Sequence, residues 1–151
     1  MGAERNQAIE LCGSTMVVVH GVHPPTDAEW QEGLDYTRSV VNEVRGQLVV
    51  SAGGGPTPRQ RKTLHDLWRT RTGGTPPTAV VTSSAIARGI VTAFSWVVKD
   101  RICAFSEKQF AEACAFAGVA DVEMVRATVE RLKLRVKAGL PSASTESTTH
   151  R

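Results

Sequence analysis

Aromatic side chains are scarce in this 151-residue chain, at 5%. A core must therefore be built mainly from Val, Ala, Leu and Ile. Cys12, Cys103 and Cys114 stand far apart and none belongs to a Cys-x-x-Cys pair. A disulfide framework is not expected, and a reducing, cytoplasmic setting is. No apolar run approaches the roughly 18 residues of a membrane span, and the opening MGAERNQAIELCG lacks the apolar core of a signal peptide. An excess of one charge is missing too: 18 Lys and Arg against 15 Asp and Glu leave +3. That balance implies neither nucleic acid nor membrane unless the cations cluster. The chain also lacks the Gly-Lys-Ser/Thr of a phosphate loop, the Gly-x-Gly-x-x-Gly dinucleotide spacing and the Gly-x-Ser-x-Gly elbow. No catalytic residue, metal site or cofactor is assigned.

What is present is the composition of an ordinary globular domain, 41% hydrophobic and 22% charged. AIELC and TMVVVHG flank Gly13-Ser14, the pattern of a strand, a turn and a second strand. Thr26 and Glu29 then form a Ser/Thr-x-x-Glu capping box, and Trp30, Leu34, Val41 and Val44 recur at helical spacing. QLVVSA reads as a third strand, ended by Gly53, Gly54 and Gly55. Thr57, Pro58 and Gln60 supply an N-cap, a first-turn proline and a second box for a helix through Leu64, Leu67 and Trp68. TAVVT is a fourth strand, and Ser83 or Ser84 caps a helix with Ile86, Ile90, Ala93 and Val97 along one side. RICAF is a short fifth strand, followed by a helix that Ser106 and Gln109 open and Gly118 closes. A last helix from Asp121 carries Val122, Val125, Val129, Leu132 and Val136 in one stripe.

Strands alternating with helices predict an α/β layer fold with a mixed, largely parallel sheet, an initial hairpin and an extra C-terminal helix. The expected organisation is a flexible stretch 1–7, one domain over 8–137 and a disordered Ser/Thr-rich tail over 138–151. In open α/β sheets ligands bind beyond the carboxyl ends of the strands. Two loops there bear donors. One is SAGGGPTPRQR, with Ser51, Gly53, Gly54, Gly55, Thr57, Arg59 and Arg61. The other is TSSAIAR, with Thr82, Ser83, Ser84 and Arg88. Glycines before a helix start let a backbone approach an anion, and arginines add bidentate donors; the same stretch also serves as a plain strand-to-helix turn. Ser51, Thr57, Ser83 and Ser84 are the hydroxyls placed where a phosphate would sit at a helix start.

The run Arg59, Arg61, Lys62, Arg69 and Arg71 around Trp68 raises a nucleic-acid surface, although Trp68 continues the Leu64–Leu67 stripe and so reads as core. His20 and His23 make a His-x-x-His pair with no third ligand in sight. Cys103, in a buried strand, and Cys114, on an apolar helix face, read as packing residues. The valine stripe of the last helix, 121–137, suits either the sheet or a second copy of the chain.

The strand and helix order resembles the STAS fold of the SpoIIAA-like (STAS/SEC14) type, over about residues 8–118. The resemblance is carried by PPTDAEW, LVVSAGGGPTPRQR and AVVTSSAIARGIVTAFSW. It implies a bacterial, non-enzymatic signalling module that regulates by binding a protein partner with an acidic or phosphorylated surface. The serine motif Asp-Ser-Ser-Gly of the phosphorylated branch is not in this chain. The alternatives are a small-ligand or anion-binding α/β domain, an enzyme included, and a nucleic-acid binder.

Overall fold

A computed structural model of the protein describes residues 5–98 and 101–140, with the side chains of residues 93–98 outside the description. The expected packing of Ala93 and Val97, and the tail beyond residue 140, thus lie outside the described residues. The expected α/β class holds: a mixed five-stranded sheet has the order β1-β2-β3-β4-β5. Its strands are β1 (Gln7–Cys12), β2 (Thr15–His20), β3 (Gly46–Ser51), β4 (Thr78–Thr82) and β5 (Ile102–Phe105). β1 and β2 form an antiparallel hairpin over Gly13, at φ 62°, and Ser14; the other pairs are parallel. The helices are α1 (Asp27–Val40), α2 (Pro58–Arg69), α3 (Ala85–Val98), α4 (Phe110–Phe116) and α5 (Val122–Ala138).

Because β2 to β5 are neighbours in chain order, every crossover steps the same way. Right-handed crossovers that step one way leave all their helices on one face. α1, α2 and α3 occupy that face, while α4 and α5 come after the last strand and cover the other. Both early capping boxes are present: Thr26 with Glu29, and Thr57 with Gln60. The β1 edge is closed by α1, whose Glu29 accepts from the Asn6 N–H and whose Tyr36 hydroxyl accepts from the Leu11 N–H.

Several details depart from expectation. Order begins before residue 8: Arg5 pairs with Glu32 at 2.9 Å and Gln7 is buried in β1. α1 ends at Val40, so Val41 and Val44 lie past the helix; Val44 is buried by the turn that follows. Cys103 is only half-buried, because β5 is the sheet's other edge, whereas Cys114 is fully enclosed. Ile86 and Ile90 are 79% and 54% exposed, so they are no core stripe. The α5 stripe packs on β1 and β2, with Val125, Val129, Leu132 and Val136 inside the main core. A dimer built on that stripe would require the helix to leave the sheet. No helix among the described residues is long and apolar enough to cross a membrane.

Candidate functional site

Strand side chains alternate between faces, so the register sorts the face under α1–α3 into rows. At the carboxyl ends of the parallel strands runs a polar row, Gln7–His20–Ser51–Thr82. The next row is wholly apolar: Ile9–Val18–Val49–Val80. The third mixes Leu11 and Met16 with Gln47, Thr78 and Ile102. The outer rows are four residues apart, or about 13 Å.

Over this floor lies a cavity of about 410 Å³. α1 contributes Trp30 and Leu34 to its wall, α2 contributes Arg61, Leu64 and Trp68, and α3 contributes Ala87, Ile90 and Val91. α1 and α2 leave room because they pack on each other: Trp30, Leu34 and Leu67 form a cluster of their own. The Trp30 indole N–H also donates to the Thr63 hydroxyl at 2.8 Å. The Gln60 amide binds the Pro25 carbonyl and braces the start of α2 against the loop before α1.

The glycine loop closes one end. Ser51 Oγ donates to the Gly54 carbonyl at 2.5 Å and accepts from the Gly53 N–H. The Gly54 N–H donates to the Gly21 carbonyl. Two glycine amides are thus turned into the protein, and Gly54 is needed for contact: a Cβ there would stand 2.5 Å from the His23 carbonyl oxygen. Arg61 lines the cavity here and donates to the Pro56 carbonyl at 3.0 Å.

The residues singled out from the sequence therefore divide. Ser51, Gly53, Gly54, Gly55 and Arg61 line the cavity. Thr57 and Ser84 cap α2 and α3, Arg59 and Ser83 are exposed, and Arg88 donates to the carbonyl of the buried Thr82. The cations around Trp68 also disperse. Lys62 pairs with Asp66, and Arg71 binds the carbonyls of Gly74 and Val44. The Lys62 ammonium holds the Asp66 carboxyl below the usual range. Trp68 itself is only 2% exposed.

His20 is the main residue that sequence reasoning left without its role. It is 5% exposed and lines the cavity, whereas His23 is on the surface. Burial pushes its pKa down to about 4; the Asn6 backbone and the Glu29 charge oppose the shift and are outweighed. It is a neutral imidazole at pH 7. No group of three or more His, Cys, Asp or Glu among the described residues is placed to hold a metal. The signal available in the sequence was the polar residue at inward strand positions: Gln7, His20, Gln47, Ser51 and Thr78 interrupt otherwise apolar runs.

The cavity meets the strand-end loops only in part, where the glycine loop after β3 lines one end. The strand order never reverses, so there is no switch-point crevice. The space lies beneath the helices instead, and the strand ends form only one of its walls.

Fold and site together define an α/β domain with a half-open, largely apolar cavity between its sheet and one helix layer. Compared with known proteins, the chain matches no family model, no curated protein and no solved structure.

Proposed function

We propose that the protein is a small-molecule-binding α/β domain whose ligand has a predominantly apolar body and one anionic end. One observation carries this reading: a cavity of about 410 Å³ whose floor has a wholly apolar middle row, with no Asp or Glu among its described lining residues and the Arg61 guanidinium in its wall at the glycine-loop end. The volume lies in the range of sites for small ligands and cofactors. An apolar body gains from leaving water in proportion to the area it hides. A charge in such surroundings needs a partner, and the wall offers a cation. Ser51, the glycine loop and neutral His20 surround that end, so it suits a carboxylate rather than an amine.

Titration calorimetry with decanoate, decanol and decylamine tests the reading. Decanoate should bind, decylamine should bind at least tenfold more weakly, and Arg61→Gln should bring decanoate down to the level of decanol. No heat from any of the three would overturn it.

A second reading, docking of a protein partner on the loop end, is favoured by the exposed apolar side chains there. Val22 is 57% exposed at the cavity wall, and Ile86, 79% exposed, stands in the first turn of α3 near Ser83. On that reading the module regulates through its partner, as the STAS-like arrangement implies. Ile86→Glu would then abolish partner capture and leave decanoate binding intact.

A further inference from the structure

The two ends of the cavity differ in how they meet water. Its opening runs from Val22 and Gly53 at the glycine-loop end to Ile90 on α3, and all three are exposed. The far end is lined by Gln47 and Thr78, both buried, and by Thr75 of the turn before β4. That turn is pinned in place. The Gln47 N–H donates to the Pro77 carbonyl at 2.8 Å, and the Thr78 hydroxyl donates to the Pro76 carbonyl at 2.9 Å. Arg71 donates to the carbonyls of Gly74 and Val44, which ties the turn to the chain ahead of β3. Pro76 itself is fully buried. The side chains at this end also answer one another, since Gln47 Nε2 donates to Thr78 Oγ1 at 3.0 Å. An apolar tip set against them breaks no hydrogen bond, so no desolvation penalty opposes it.

We infer that the cavity selects its ligand by chain length: the pinned turn over 74–77, with Gln47 and Thr78, is a stop for the tail of a straight-chain acid of about ten carbons. This rests on the proposed function of the cavity and narrows its ligand class. The length follows from the register. Ser51 and Gln47 both line the cavity and stand four residues apart on β3, so the floor between them is about 13 Å long. An extended chain advances about 1.2 Å per bond, because the three backbone bonds of a residue span about 3.3–3.6 Å. About eleven bonds therefore fit between the glycine loop and the stop. With its carboxylate beside Arg61, a ten-carbon acid crosses Val49 and Val18 and brings its methyl to Gln47. A longer chain must either displace the turn or lift its acid away from Arg61, and neither gains from the added methylenes.

The test is titration of the full chain with the even-numbered alkanoates from hexanoate to tetradecanoate, below their micelle concentrations. Affinity should rise about fourfold per methylene as far as decanoate. Tetradecanoate should bind no more tightly than decanoate, where four freely buried methylenes would bring a gain of about 250-fold. Gln47→Ala shortens the stop and should move the break to dodecanoate. In the wild-type protein the Gln47 side-chain amide resonances should move with decanoate and hold their free positions with hexanoate, which is too short to reach them. The Gly53 and Gly55 amides should move with both. These readouts stand even if the variant fails to fold. A gain that runs unbroken to tetradecanoate, Gln47 resonances unmoved by decanoate, or an unshifted break in folded Gln47→Ala would each overturn the length stop and leave the cavity reading in place. Binding of no alkanoate would overturn both.

Discussion

Leu48 and Val50 of β3 point toward α4 and α5 and are sealed in a continuous core; Val49, between them in the chain, points the other way into the cavity. The two faces differ in what covers them. α5 brings a stripe of Val and Leu, and α4 brings Ala113, Cys114 and Ala117, small enough to let the helix approach closely. The opposite face is roofed by helices that carry Trp30 and Trp68 and cling partly to each other. One sheet therefore has a sealed face and one with a cavity over it, and the division follows the pleat residue by residue.

The largest effect should come from opening the sealed face. Leu132→Ala should lose about 3 kcal/mol of unfolding free energy in urea, since Leu132 is fully buried in the main core and its truncation leaves a cavity. A loss below about 1 kcal/mol would mean that the sealed face is looser than described.

Acid should act from the other side. His20 has its pKa lowered to about 4 from 6.5, so between these values the unfolded chain binds the proton and the folded protein does not. Stability then rises with pH across that window and is lost as pH falls from about 6.5 toward 4, by an amount on the order of 3 kcal/mol. Chemical denaturation across this range should show the loss in the wild-type protein, and His20→Gln should flatten it.

Overpacking offers the sharpest contrast between neighbours. Val50→Phe pushes into the sealed core and should cost about 1–3 kcal/mol. Val49→Phe has the cavity to enter and should change stability by less than about 1 kcal/mol. It should also abolish decanoate binding. Equal costs at the two positions would erase the distinction between the faces.

Much of the architecture was legible because it rests on local signals. The capping boxes at Thr26 and Thr57, the hairpin at Gly13, the five strands and the α5 stripe each need only a few neighbouring residues to be read. Errors fell where a distant contact decides. Ile86 and Ile90 have a core-like spacing, yet α3 lies along a sheet edge, so Ile86 is in water and Ile90 is half-exposed at the rim of the cavity. Cys103 sits in an apolar strand, but that strand has a neighbour on one side only. Of the candidate site, Ser51, the glycines and Arg61 were visible as a cluster in sequence. His20 and Trp68 were visible only as a weak histidine pair and a core residue.

Local signals in the chain specified the elements and their order, while the strand order that puts α1, α2 and α3 on one face came from the structure. How far α1 and α2 stand from the sheet depends on long-range contacts, among them Trp30 with Thr63 and Gln60 with Pro25, each across more than thirty residues of chain. A void is the sum of contacts not made, and no local pattern of residues encodes it.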